Sequence, residues 1–173
     1  MKHVAQPLAV LILGLSLAGC SDSPPTSPTS TTSTSFTANL LTANEVPPIA
    51  NEEAGGSASA TITIAVTNDS SGHAANASMD VSLTATGFPN GTALTKAHIH
   101  PGASDTNGGV LVSLGLVDGE VTFPSGSGSF TKRGISLTVD QANAILGNPS
   151  GFYLNIHTAR NPDGVARGQL TRQ

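Results

Sequence analysis

The chain has 173 residues and a single cysteine, Cys20. It therefore has no internal disulfide and no metal site built from several thiolates. It has no tryptophan and one tyrosine, and aromatic residues make up only 3%. Charged residues are 10%, against roughly 25% in an average soluble domain. That scarcity argues against a coiled coil or long helical bundle, both of which draw heavily on Glu, Lys and Arg. With 7 basic and 11 acidic residues the net charge is −4, and no basic stripe marks a nucleic-acid surface. Phosphate-binding glycine loops, nucleophile elbows, His-Glu-x-x-His and calcium-loop spacings are all missing. Ser, by contrast, is everywhere, so a Ser-His-Asp assembly is neither excluded nor indicated. What the chain has in quantity is 19 glycines and 11 prolines, the composition of short strands joined by polar turns.

Residues 1–19 read as an export signal. Lys2 and His3 form a short polar head, and Pro7 to Ala18 is an apolar run of about a dozen residues, short of the roughly 20 needed to span a bilayer. Leu17-Ala18-Gly19-Cys20 resembles the bacterial lipobox, in which the cysteine becomes the acylated N-terminus. Cys20 is thus the expected lipidation site, and more than one acyl chain gives stable anchoring. The protein is expected to be exported and membrane-anchored. In a Gram-negative host, Ser21 after the cysteine favours the outer membrane. Fourteen of the fifteen residues from Ser21 to Ser35 are Ser, Thr or Pro, so 20–35 reads as a lipidated, disordered tether. The folded domain is expected over 36–173.

From Phe36 onward the periodicity is two. Ala60, Ile62, Ile64 and Val66 fall on one face of 57–67. Met79, Val81, Leu83 and Ala85 do the same in 78–86. Further strands are expected at 36–41, 93–100, 109–116, 128–133, 152–158 and 165–171, most of them separated by turn residues. About eight short strands predict an all-β domain, an antiparallel Greek-key or immunoglobulin-like sandwich or barrel. One segment departs from the pattern. Thr138 and Gln141 have capping-box spacing, Ala142, Ile145 and Leu146 are apolar at helical spacing, and Gly147 and Pro149 end the run. Together they predict one short helix near 139–146.

The mature chain keeps four histidines. His73 lies among turn residues and reads as solvated. In 93–100, His98 and His100 share one face and Ala97 and Ile99 the other, with the two imidazole-bearing Cβ atoms about 6.5–7 Å apart. In 152–158, Tyr153, Asn155 and His157 lie opposite Phe152, Leu154 and Ile156. If these strands are neighbours, His98, His100 and His157 form a cluster. Three imidazoles with an open fourth position suit one Cu or Zn ion. Asp105 and Asp163 are the nearest acidic candidates in sequence. The competing reading is structural, with the imidazoles bonding loop carbonyls and pinning 101–108 and 159–164.

Four blocks carry a family resemblance: Glu45-Val-Pro-Pro48, Ala97-His-Ile-His-Pro-Gly102, Tyr153-Leu-Asn-Ile-His-Thr158 and Gly164-Val-Ala-Arg-Gly-Gln-Leu170. In order and spacing they resemble the CHRD domain, named after chordin, an extracellular antagonist of growth factors, and found also in bacterial secreted proteins. The resemblance spans about 36–172. It implies an extracellular β-sandwich module, places His98, His100 and His157 on the family's histidine positions, and gives Glu45 and Arg167 a structural or binding role. It implies no catalytic residue. The His-Ile-His pair is also locally similar to the His-x-His strand of copper–zinc superoxide dismutases. That dinuclear site needs more histidines than remain here, and its disulfide needs a second cysteine. The residues and the resemblance together leave two functions open. One is a non-catalytic envelope module binding protein or glycan; the other is a metal-binding or metal-dependent redox protein.

Overall fold

The computed structural model describes Met1 and residues 29–173. Most of the expected signal, Cys20 and over half of the expected tether lie outside the described residues. The ten strands in chain order are β1 (Thr31–Leu41), β2 (Ser57–Asn68), β3 (Ala74–Thr86), β4 (Thr92–Pro101), β5 (Val112–Ser113), β6 (Val121–Phe123), β7 (Gly128–Leu137), β8 (Phe152–Thr158), β9 (Ala166–Gln169) and β10 (Thr171–Arg172). A helix, α1 (Val139–Gly147), lies between β7 and β8. Every pairing is antiparallel. The strand order is β5-β4-β8-β9-β1-β2-β3-β7, with β6 on β4 and β10 on β1. The sheet curls into a nearly closed barrel, the barrel form of the expected all-β fold. β1, β2 and β3 form a meander; the chain then crosses to lay β4 beside β8 and returns to lay β7 beside β3. No described helix is long and apolar enough to cross a membrane.

The period-two pattern becomes the core. Ile62 stands opposite both Phe36 and Val81 in the ladder, and all three are fully buried. Leu94, Ile99, Leu154 and Ile156 supply the other side of the same cluster. β4 carries an irregularity between Leu94 and Lys96, where two residues face one step of β8. The parity of the strand changes there. Leu94 points inward, and so do Ala97 and Ile99, which leaves Lys96, His98 and His100 outside.

Several boundaries differ from expectation. β1 begins at Thr31, so 31–35 belong to the strand and not to a tether. They pair with Thr63 to Thr67, and hydroxyls meet across the pair at Thr31–Thr67 and Ser35–Thr63, 2.9 and 3.1 Å apart. Only Val112–Ser113 of the expected strand 109–116 pairs. The expected strand 165–171 divides into β9 and β10 around Leu170, which turns into the core. The short β6 was not expected.

The α1 cap forms as its spacing predicts. The Gln141 amide donates to Thr138 Oγ1 at 3.1 Å, and the Thr138 amide donates to Gln141 Oε1 at 2.9 Å. Ala142 and Ile145 are buried beneath it. Thr138→Ala should therefore lower stability by about 1 kcal/mol, read as a reduced urea midpoint with unchanged slope.

Candidate metal centre

β4 and β8 are neighbours, which is the condition on which the histidine cluster depended. Their register sets Lys96 against His157, His98 against Asn155 and His100 against Tyr153, and β9 sets Arg167 against Asn155. Directly opposed residues share a face, so one outward patch carries these polar groups together. It is not solvated. Tyr153, Asn155, His157 and Arg167 are each below 5% exposed, and His100 is buried too. The segments around 44–53, 102–111 and 159–164 cover them.

The covering loops are tied to the patch by hydrogen bonds. His100 Nδ1 donates to the Gly108 carbonyl at 3.0 Å, and His157 Nδ1 donates to the Pro162 carbonyl at 2.9 Å. Tyr153 stacks on His100 with ring centroids 5.0 Å apart, and its hydroxyl accepts from the Gly108 amide at 3.2 Å. Gly108 can serve both because it has no side chain: a Cβ there would sit 1.7 Å from the Pro101 carbonyl oxygen. Arg167 lies over the Tyr153 ring. Its Nε donates to the Asn44 carbonyl, its Nη1 to the Thr106 carbonyl and Asn107 Oδ1, and its Nη2 to the Ser104 carbonyl. In the third loop, Thr158 and Asn161 both donate to Glu53 Oε2.

A carbonyl can only accept, so His100 and His157 carry their protons on Nδ1. Each Nε2 then holds a free lone pair. Among the described residues both Nε2 atoms are buried without a partner, and so is Nδ1 of His98. Ring centroids are 4.9 Å apart for His98 and His157 and 5.5 Å for His98 and His100. One ring nitrogen from each of the three lies within 4.8 Å of the others. Burial pushes the His98 pKa down to about 4, with His157, His100 and Lys96 adding to the effect. Burial likewise lowers His100 and His157. All three are neutral at pH 7, the form in which imidazole binds metal.

The other sequence candidates fall elsewhere. Asp105 accepts only from Thr106 among the described contacts. Asp163 acts on His157 through its charge, and neither belongs to the cluster. His73 is exposed beside Asp69. Glu45 is buried, and that burial raises its pKa to about 7 against the opposing pull of Arg167. Glu53, and the missing partners of Asn155 and Glu45, were invisible in the sequence. They depend on loops folding over the sheet, and no motif spacing encodes that.

The CHRD domain family model matches residues 36–170. The chain belongs to the CHRD domain family. No curated protein and no solved structure matches it. Within this CHRD domain, the histidine patch is a buried polar layer between the barrel wall and its loops.

The pKa shifts set a pH dependence for the metal-free protein. Below about pH 6.5 the unfolded chain takes up protons on His98, His100 and His157 that the folded chain refuses, and for His98 the refusal lasts to about pH 4. Stability is therefore full above pH 6.5 and falls as pH drops through that window. Glu45 works in the opposite sense, because its raised pKa lets the folded chain hold a proton the unfolded chain has lost. One carboxyl stands against three imidazoles, so the net effect is loss on acidification. The urea midpoint of chelator-treated protein should fall from pH 6.5 to 4.5, and replacing all three histidines by Gln should flatten that decline.

Proposed function

We propose that this chain is an envelope lipoprotein whose CHRD module binds one Cu²⁺ or Zn²⁺ ion through His98, His100 and His157. One observation carries the reading: three imidazoles each bring a ring nitrogen within 4.8 Å of the others, and each has a buried ring nitrogen with no hydrogen-bond partner among the described residues. A buried acceptor without a donor costs about 1–3 kcal/mol. Three such atoms in one place are costly to leave unpaired, and a cation satisfies all three at once. The opposite nitrogens of His100 and His157 are held by carbonyls. That is the outer arrangement which orients metal-bound imidazoles elsewhere. Loop pinning and metal binding are thus not rivals, because each uses a different nitrogen of the same ring. Three nitrogen ligands leave a fourth position open, as Zn²⁺ and Cu²⁺ both accept.

Display at the cell surface or in the periplasm rests on the lipobox-like Leu17 to Cys20 and the polar segment after it. On this reading the module acts by binding, with the ion as part of its surface chemistry. An extracellular protein or glycan would be its partner, and nucleic acid would not.

Two measurements test these points. Untagged, chelator-treated protein at about pH 7.5 should take up one equivalent of Zn²⁺ or Cu²⁺ with a rise in Tm. At a free concentration one hundred times Kd the gain is about 2.7 kcal/mol. His98→Gln, His100→Gln and His157→Gln should each abolish the rise. A wild type that takes up no ion refutes the metal reading. Separately, Cys20→Ser should move the protein from the membrane to the soluble fraction. Unchanged fractionation refutes the lipid anchor.

A further inference from the structure

Five buried side-chain atoms lack a hydrogen-bond partner among the described residues: His98 Nδ1, His100 Nε2, His157 Nε2, Glu45 Oε1 and Asn155 Oδ1. Three are ring nitrogens, and those of His100 and His157 have lone pairs to give. The other two are oxygens, and an amide or carboxylate oxygen needs a donor. Asn155 lies directly across the ladder from His98 and two residues before His157 on β8, so it sits among the three imidazoles. Glu45 approaches Asn155 from the loop above. Both side chains converge on Gly164, where a Cβ would come within 2.9 Å of Glu45 Oε2, 2.9 Å of Asn155 Oδ1 and 2.5 Å of Asn155 Nδ2. Gly164 has φ +141°, so the position excludes other residues both by conformation and by space.

Arg167 does not answer either oxygen. Four of its five N–H groups are engaged by the Asn44, Thr106 and Ser104 carbonyls and by Asn107. No described group donates to either oxygen, so one donor from outside the folded domain is the simplest partner for both. It must carry two protons, and it must sit beside a group that accepts three nitrogen lone pairs. A metal ion bearing one water molecule meets all these demands. The ion takes the three nitrogens, and the water donates one proton to each oxygen.

We propose that Glu45 and Asn155 are positioning residues that hold an exchangeable water on the fourth position of the ion, and that a small anion can replace that water. The proposal rests on the metal reading above. A route for exchange is present. Glu45 lines a solvent-open cleft of about 340 Å³, together with Val46, Asn107, Arg160, Pro162 and Gly164. Arg160 at this cleft is paired with Glu52 at 2.6 Å, and Asp163 lines it beside Glu45, so an entering ligand passes two acidic groups before it reaches the buried oxygen of Glu45.

Cobalt gives a visible readout of coordination, and azide serves as the anion. Untagged protein loaded with one equivalent of Co²⁺ is titrated with azide at about pH 8, where Glu45 is largely ionised. Wild type should show a saturable spectral change as azide displaces water. Glu45→Gln removes a negative charge beside the bound anion, so azide should bind about tenfold tighter; Asn155→Asp adds one, so it should bind about tenfold weaker. Both variants should keep one equivalent of Co²⁺. If Glu45→Gln does not fold, the Asn155→Asp shift decides alone. Several outcomes overturn the proposal while leaving the metal site standing. Azide could leave the wild-type spectrum unchanged, both variants could match wild type, or folded Glu45→Gln could lose Co²⁺ and so show Glu45 to be a ligand. A wild type that takes up no Co²⁺ overturns both readings together.

Discussion

A change of one residue in β4 decides which side of the barrel wall carries the imidazoles. Leu94, Lys96, His98 and His100 share a parity, and a regular strand that buried Leu94 would bury all of them. The irregularity between Leu94 and Lys96 reverses the alternation. Leu94 stays in the core with Ile99, and the histidines turn outward. Slipping by one residue would bring three polar groups into a cluster of Ile, Leu and Phe side chains, at a cost far above that of the bulge. Everything described at the patch depends on that reversal, including the opposition of His98 to Asn155 and of His100 to Tyr153.

Facing outward does not bring these groups to water, because the loops close over them. That closure is possible only because the loops offer carbonyls where the patch offers N–H donors. Gly108 and Pro162 each receive an imidazole, and the carbonyls of Asn44, Ser104 and Thr106 receive Arg167. A buried guanidinium among neutral acceptors is tolerable when nearly every N–H is used. It also fixes two loops relative to β9, which makes Arg167 the staple of the layer. The consequence for the histidines is directional. Once Nδ1 is committed to a carbonyl, the remaining lone pair has one place to point.

Much of this was legible in the residues. The alternation in β2, β3 and β8 marked the core face correctly, and the spacing of Thr138 and Gln141 marked the helix. The common phase of His98, His100 and His157 was readable, although their adjacency was not. The failures have physical causes. Thr31 to Ser35 carry no apolar signal; they are held by backbone pairing to β2 and by contacts between hydroxyls, which composition cannot distinguish from a solvated tether. The expected strand 109–116 is apolar enough, but it finds a partner only at Val112 and Ser113, because the loop beside it is drawn toward His100 and Arg167. Glu53 and Asn155 looked like ordinary polar residues until loops more than 100 residues away in sequence, or a facing strand, came to lie on them.

The proposed site differs from small metal domains in what it would ask of an ion. In a zinc finger the ion is the core, and the apo chain is unfolded. Here Phe36, Ile62, Val81, Leu94, Ile99 and Leu154 form a continuous core that includes no histidine, so the barrel has its own reason to fold. Ligands in many sites must also surrender protons as the ion arrives. In this layer burial and mutual repulsion already keep His98 neutral to about pH 4, and His100 and His157 are shifted the same way. Two of the three rings are locked in one tautomer by the loops. Folding has therefore done in advance the work that metal binding usually has to do: it has dried the ligands, deprotonated them and set their direction. A core built without any histidine, beside a polar layer whose unmet bonds an ion would complete, is the arrangement expected if the module carries a metal for use and not as its core.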